Sequence, residues 1–307
     1  MTDFRLIASD LDGTVVDPRG RISPFTKRVL RAVEESGRSL VFVTGRPPRW
    51  MAPIVEESGH RGVAICANGA VVMDLHTEEV LHSRSLDATQ SMLAVNRLRE
   101  VLPEVTFAVE RIGAGRRADV EFGREPTYVP RWPTPDHPPL APVEELVAEG
   151  GVIKILARIP QAEHAAIDGD DDRPAHARAL GPDPTRNIPA APLVDALLAK
   201  AAAALVGVAS VTHSNPNDTL LEVSALGATK AVALATHVES LGVASHEVVA
   251  FGDQPNDLDM LRWAGTAYAV ANAHPAVLAE ITGRSASVHD DGVAHTLNEI
   301  LGLGLAP

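Results

Sequence analysis

The segment Arg5-Leu-Ile-Ala-Ser-Asp-Leu-Asp-Gly-Thr14 runs from a short apolar stretch directly into an acidic turn. The stretch predicts a strand, and ligands of open parallel sheets bind just beyond the carboxyl ends of the strands. Asp10 and Asp12 are two residues apart, so both carboxylates can face one site, and Gly13 lets the chain leave the strand sharply. Such a pair can supply a nucleophile and a proton donor or acceptor. An acidic turn without a catalytic role is the alternative.

Short apolar runs alternate with helical patterns toward both ends of the chain. Further strands are predicted at Ser39–Val43 and Gly62–Cys66, and beyond Lys230 at Val248–Phe251 and Ala267–Ala271. Strand–helix–strand alternation of this kind predicts parallel strands joined by crossover helices.

The middle of the chain has a different pattern, with a helical stripe, short strand-like runs and an Ala-rich helix. A length of 307 residues suits one large domain or two domains of roughly 150 residues each. We therefore predict an α/β fold in which residues 1–83 and 224–307 form one domain, interrupted by a second domain of residues 84–223.

The composition is that of a globular protein, with 45% hydrophobic and 22% charged residues. The formal net charge of −13 argues against non-specific binding to nucleic acid or to an anionic membrane, although a local pocket can still hold a small anion. A lone cysteine, Cys66, excludes an intramolecular disulfide and a cysteine-based zinc site. Since no apolar run approaches the ~20 residues of a membrane span and no signal peptide is recognisable, we expect a cytoplasmic protein.

Two further segments carry groups suited to phosphate. Thr44-Gly-Arg46 follows the second predicted strand, where a hydroxyl and a free backbone amide can hold a phosphoryl oxygen. Lys230 lies at a predicted helix start, where its charge adds to the field of the helix N-terminus. An ordinary strand-to-loop turn and a solvated lysine are the respective alternatives.

The segment Phe251-Gly-Asp-Gln-Pro-Asn-Asp257 adds two more carboxylates where a strand meets a helix. Asp253 and Asp257 offer the oxygen ligands that Mg²⁺ prefers, with helix capping as the alternative role. The four segments converge on one edge of a parallel sheet, and together they predict phosphoryl transfer. In that reaction Mg²⁺ and Lys230 neutralise the phosphate while a carboxylate attacks phosphorus.

The chain resembles the haloacid dehalogenase (HAD) superfamily, specifically its Cof-type phosphatases of subclass IIB, which have a C2 cap. The resemblance rests on Asp10–Thr14, Thr44–Arg46, Lys230 and Gly252–Asp257, which occur in the family's order. Further matches along the core are Asn68-Gly-Ala70, Met260–Gly265, Asn272-Ala273 and Asp291–Ala294. The resemblance implies a Rossmannoid core with a parallel sheet and an inserted α+β cap of the C2 type at residues 84–223.

The resemblance also implies a role for each matching residue. Asp10 would be the nucleophile and a Mg²⁺ ligand, and Asp12 would be the acid and base, with its backbone carbonyl on the metal. Asp253 and Asp257 would complete the metal site. The phosphate would be held by Leu11, Thr44, Gly45, Lys230 and Asn256.

Arg46 and Asn68 are candidate contacts to the substrate. The sequence thus predicts a Mg²⁺-dependent phosphatase acting on a small phosphorylated metabolite, such as a sugar phosphate, with no nucleic-acid or membrane partner. A phosphomutase of the same superfamily and a catalytically idle HAD-like binding protein are the alternatives. The sequence predicts neither the substrate nor the oligomeric state.

Overall fold

The computed structural model describes residues 4–113, 120–131, 134–135, 137–160, 191–213 and 218–307. The chain divides into two compact units, one formed by Met1–His82 with Thr229–Pro307 and the other by Ser83–Ala228. Among the described residues, no helix has the length and apolar character needed to cross a lipid bilayer.

Strands and helices alternate along most of the chain. The strands are β1 (Leu6–Ser9), β2 (Ser39–Val43), β3 (Val63–Cys66), β4 (Val71–Asp74), β5 (Val80–Ser83), β6 (Thr106–Ile112), β7 (Val120–Arg124), β8 (Val152–Arg158), β9 (Ala209–Thr212), β10 (Leu220–Ala225), β11 (Val248–Gly252), β12 (Thr266–Val270) and β13 (Gly283–Ser285). The helices are α1 (Pro24–Glu35), α2 (Ala52–Ser58), α3 (Ala88–Val101), α4 (Val143–Leu146), α5 (Ala191–Ala204), α6 (Lys230–Ser240), α7 (Leu258–Trp263), α8 (Pro275–Glu280) and α9 (Gly292–Ile300).

The first unit contains an eight-stranded sheet in the order β13-β12-β11-β1-β2-β3-β4-β5. The pairs from β13 to β3 are parallel, and β4 joins β3 in the antiparallel direction. From β1 the chain builds the sheet first to one side, through β2 and β3, and later to the other, through β11 to β13. The strand order therefore reverses at β1, which is where ligands of open α/β sheets bind.

Burial and helix capping explain the elements around β1. All residues of β1 are buried, as expected for a strand covered on both faces of the sheet. The hydroxyl of Ser23 caps α1 by accepting from the amide of Thr26 (3.0 Å), and Pro24 occupies the first turn, where its missing N–H is not needed. The core-facing side of α1 is formed by Phe25, Val29, Leu30 and Val33.

The second unit contains a five-stranded antiparallel sheet in the order β7-β6-β8-β10-β9. Its strands bury charged residues as ion pairs, since Lys154 on β8 donates to Glu222 on β10 (2.7 Å). The structure confirms the predicted α/β fold class, with a mostly parallel sheet and an inserted α+β cap. The predicted boundary between residues 223 and 224 falls inside β10, which stays paired with β9 as far as Ala225.

Candidate active site

The loops that follow four neighbouring strands carry all the predicted site residues except Lys230, which begins α6. Asp10 directly follows β1, Thr44 follows β2, Asp253 follows β11, and a 3₁₀ turn after β3 carries Asn68. The amide of Asp10 donates to the carbonyl of Phe251 (3.0 Å) and ties the end of β1 to the end of β11. The order of the strands thus brings residues that are distant in sequence to one edge of the sheet.

Lys230 lies between two carboxylates at the start of α6. Its Nζ donates to Oδ1 of Asp10 (2.5 Å) and to Oδ1 of Asp257 (2.6 Å). All three side chains are at most 7% exposed. Oδ2 of Asp257 accepts from the amides of Asp253 (3.0 Å) and Gln254 (2.9 Å). Both oxygens of Asp257 are therefore engaged, and this carboxylate holds the lysine beside Asp10.

Burial and charge shift the ionisation of this cluster. Burial raises the pKa of Asp10 to about 7, although the attraction of Lys230 opposes the shift. Burial, followed by repulsion from Asp10, also holds the pKa of Asp253 well above its usual range. For Lys230, burial disfavours the charged form, but the charges of Asp10 and Asp257 raise its pKa. Three buried carboxyls share one lysine, so the cluster has an excess of negative charge when ionised.

The residues present fit a divalent cation. Carboxylate oxygens of Asp10, Asp253 and Asp257 lie within 4.8 Å of one another, and all three residues are buried. A donor set made only of carboxylate oxygens is one that hard cations such as Mg²⁺ prefer. A cation at this position would also offset the excess negative charge of the cluster.

Asp12 lies outside this cluster of carboxylates and pairs with Arg46. Its side chain is 53% exposed, whereas that of Arg46 is 4% exposed. Nε of Arg46 donates to Oδ2 of Asp12 (2.7 Å), and Nη2 donates to Oδ1. The predicted acid–base group, Asp12, and the predicted substrate contact, Arg46, therefore form an ion pair with each other.

The remaining predicted residues form a polar group around the loop after β2. Thr44 is buried, and its Oγ1 accepts from the amide of Arg46 (3.1 Å). Nδ2 of Asn256 donates to Oδ1 of Asn68 (3.1 Å), and a Cβ on Gly45 would lie 3.1 Å from that same oxygen. Asn68 thus bridges the loop after β2 and the turn after β11. Leu11, which follows Asp10, has a fully buried side chain.

The backbone that presents Asn68 is strained. Ala67, Asn68 and Gly69 all have positive φ values, of 51°, 55° and 102°. A Cβ at Gly69 would lie 2.2 Å from the carbonyl of Thr229, which caps α6. Such conformations cost free energy, persist where surrounding contacts over-determine them and concentrate at functional sites.

Sequence reasoning assigned no role to three residues that hold the site together. Oγ1 of Thr14 (3.3 Å) and Nε2 of Gln254 (2.7 Å) donate to opposite oxygens of Asp253. Asn272 donates to the carbonyl of Gly13 (2.7 Å) and accepts from the amide of Val288. All three lie within segments that resemble the family's motifs, and this position in the sequence is the signal that could have indicated their role.

The space around Gly13 gives a first prediction. Gly13 has φ +85°, and a Cβ there would lie 2.6 Å from Oδ2 of Asp253. Gly37 has a similar φ of +80° with nothing within 4 Å of its Cβ position. Both Gly→Ala changes force a side chain into the left-handed region, at a cost of roughly 1–2 kcal/mol. Gly13→Ala must also displace Asp253, so we expect its affinity for a divalent cation, measured by titration calorimetry with Mg²⁺, to fall about 10-fold or more.

Gly37→Ala is the matched control, because it carries the backbone strain without the displaced carboxylate. In the same titration it should behave as the wild type does. Equal affinities for the two variants would show that Asp253 does not depend on the space at Gly13.

A sequence profile of the haloacid dehalogenase-like hydrolases matches residues 7–113 and 192–297. The match includes the loops after β1, β2, β3 and β11 and the start of α6. The chain belongs to this family.

Two curated relatives are similar over nearly the whole chain. The putative phosphatase YxeH of Bacillus subtilis (strain 168) is 26% identical in an alignment 309 positions long, gaps included, that covers 97% of this chain and 98% of the relative. The pyridoxal phosphate phosphatase YbhA of Escherichia coli (strain K12) is 23% identical in an alignment 282 positions long, gaps included, that covers 90% of each chain. The solved structure of a subclass IIB sugar phosphatase has the same fold, with a TM-score of 0.68 and 19% identity over 97% of this chain and 99% of that one.

Proposed function

We propose that the chain is a Mg²⁺-dependent phosphatase that hydrolyses a small phosphorylated metabolite, such as a sugar phosphate, through an aspartyl-phosphate. The observation that carries the proposal is the buried contact of Lys230 with Asp10 and Asp257, beside Asp253. A carboxylate held next to a lysine and a candidate metal site is placed where the charge of a phosphate is neutralised. A relative that dephosphorylates pyridoxal phosphate supports a small phosphorylated substrate.

In the first step, an oxygen of Asp10 forms a bond to phosphorus. The bond between phosphorus and the ester oxygen breaks, and that oxygen takes the bonding electron pair together with a proton from Asp12. Lys230 favours the ionised form of Asp10 and keeps its carboxylate in place through the 2.5 Å contact. The products of this step are the free alcohol and phosphorylated Asp10.

In the second step, Asp12 accepts a proton from water as the water oxygen bonds to phosphorus. The bond between phosphorus and Asp10 breaks, which releases inorganic phosphate and restores the carboxylate. Lys230 donates to the leaving carboxylate at the same atom that it contacts in the resting structure. Each of the two acids therefore returns to its starting state.

One set of groups would bind Mg²⁺, and a second set would bind the phosphate. Mg²⁺ would be held by the side chains of Asp10, Asp253 and Asp257 and by the backbone carbonyl of Asp12, and when bound it withdraws charge from the phosphoryl oxygens. The phosphate would contact the Thr44 hydroxyl, the amides of Gly45 and Leu11, Lys230 and Asn256. Asn256 would bind phosphate through Nδ2, which carries two N–H groups: one donates to Oδ1 of Asn68, and the other can donate to a phosphate oxygen.

Arg46 and Asn68 are each 4% exposed. Their burial favours a role in shaping the loops around the phosphate over direct contact with the rest of the substrate. The cytoplasmic location remains a prediction from the sequence.

The raised pKa of Asp10 predicts that Mg²⁺ binding depends on pH. A carboxyl must lose its proton to bind a metal, so protons compete with Mg²⁺ below the pKa of about 7. We expect the Mg²⁺ affinity to rise between about pH 6 and about pH 8, with protons released on binding. Titration calorimetry in buffers of different ionisation enthalpy measures both quantities. Asp259→Asn, which removes an exposed carboxylate on α7, should retain the wild-type profile, and a flat wild-type profile would contradict this account.

A panel of phosphomonoesters with the purified protein and Mg²⁺ tests the proposed function. Steady release of inorganic phosphate from at least one ester is expected. A phosphomutase would instead require a bisphosphate activator and would isomerise its substrate with little release of phosphate. Absence of turnover across the panel would favour the idle binding protein, although retention of Asp10, Asp12, Lys230 and Asp253 argues against that class.

A further inference from the structure

The guanidinium of Arg46 engages both oxygens of Asp12. Nε donates to Oδ2 (2.7 Å) and Nη2 donates to Oδ1, which is the two-bond fork that only arginine offers a carboxylate. The side chain of Arg46 is almost completely buried, whereas that of Asp12 is exposed. The fork therefore acts on a side chain that would otherwise move freely in solvent.

Backbone contacts fix the position of Arg46. Its amide donates to Oγ1 of Thr44 (3.1 Å), and its carbonyl accepts from the amide of Ala67 (2.8 Å). Arg46 is thereby tied to the loop after β2 and to the strained turn after β3. Because the guanidinium donates to both oxygens of Asp12, it also restrains the side chain of Asp12, which lies in the loop after β1.

Stability alone does not account for the pair. Nη1 of Arg46 is buried without a hydrogen-bond partner among the described residues, which costs free energy. Burying the charge of Arg46 also carries a desolvation cost, and solvent screens its attraction to the exposed Asp12. The arrangement does fix the angle and distance of a carboxylate, which is what acid–base chemistry requires.

We propose that Arg46 is a positioning residue that holds the carboxylate of Asp12 in one orientation relative to Asp10. The inference rests on the proposed function, in which Asp12 exchanges protons with the leaving alcohol and with water. Arg46 acts through Asp12 and not on the substrate. Its removal should therefore affect turnover more than substrate binding.

A double-mutant cycle tests this role. Arg46→Met is expected to lower kcat about 10- to 100-fold with little change in KM, because the carboxylate is no longer held in place. Arg46→Lys supplies a positive charge but cannot donate to both carboxylate oxygens, so its kcat should lie between those of Arg46→Met and the wild type. In an Asp12→Asn background, Arg46→Met should cause little further loss, since the group that it positions is already gone. Independent, multiplicative losses in the double variant would overturn the proposal.

The leaving group provides a second readout. An aryl phosphate leaves with less help from an acid than an alkyl phosphate does, so Arg46→Met should lose more activity on the alkyl ester. Equal losses on both esters would point to a general structural defect. Arg262→Met is the matched control, because Arg262 is an exposed arginine that forks onto Glu280, and its activity should be unchanged.

A crystal structure of Arg46→Met separates this proposal from the proposed function. We expect the Asp12 side chain to leave its wild-type orientation or to occupy several. An unchanged Asp12 would overturn the positioning role even if the enzyme is an active phosphatase. A displaced Asp12 in a protein without phosphatase activity would instead keep the positioning role of Arg46 and reject the proposed reaction.

Discussion

Asp10→Asn is expected to lower kcat/KM by about 10⁴-fold or more, equivalent to about 5 kcal/mol of transition-state stabilisation. An amide oxygen carries no negative charge and cannot form the aspartyl-phosphate. Steady-state phosphate release on the best ester of the panel measures the loss. Asp259→Asn makes the same chemical change on an exposed carboxylate and should keep full activity.

The same variant should fold at least as well as the wild type at high pH. Burial raises the pKa of Asp10 to about 7 from an ordinary value of 3.8, so the folded protein binds this proton more tightly than the unfolded chain does. Stability from this group therefore decreases as pH rises from about 4 to about 7, and the ionised form stays unfavourable above that range. Removing the charge removes this cost. A metal-free Asp10→Asn protein with a lower melting temperature than wild type at about pH 8 would contradict this account.

Lys230→Met is expected to lose both activity and stability. The change leaves Asp10 and Asp257 buried without their cation, with Asp253 close by. Removing one partner of a buried ion pair costs about 3–5 kcal/mol, which urea denaturation measures. Turnover should fall about 100-fold or more, because the developing phosphoryl charge loses a nearby donor.

The pH and metal dependence of this variant distinguish a charge effect from a packing effect. The unpaired carboxyls can take up protons, so the stability loss of Lys230→Met should shrink as the pH is lowered toward about 5. Mg²⁺ should also restore part of the stability, since it supplies positive charge to the same cluster. Lys200→Met, which removes an exposed lysine on α5, should show none of these changes. A loss that is independent of pH and Mg²⁺ would instead indicate a packing defect.

The location of the site could be predicted from the sequence because the parallel sheet imposes it. Asp10, Thr44 and Asp253 each lie just after a predicted strand, and the carboxyl ends of parallel strands meet at one edge. The structure brings Asp10, Lys230, Asp253 and Asp257 into one buried cluster, as predicted from the convergence of their segments on one edge of the sheet. Assignments of chemical roles to the individual residues remain proposals.

The pairing of charges could not be predicted in the same way. Spacing places Asp12 near Asp10, but the tertiary structure decides that its carboxylate meets Arg46. The cap shows the same limit, since Lys154 and Glu222 are charged residues within apolar stretches of β8 and β10, and only the tertiary structure shows that they are buried as an ion pair. Contacts between side chains on different elements depend on packing that no local pattern encodes.

Trapping the covalent intermediate tests the central claim most directly. The protein is incubated with Mg²⁺ and its best phosphomonoester, quenched during turnover and treated with borohydride, which reduces an aspartyl-phosphate to homoserine. Peptide mass spectrometry should then show homoserine at position 10 in the wild type, and no such product at that position in Asp10→Asn. Phosphate release with Asp10 left unmodified, or with the label on a different residue, would contradict the account.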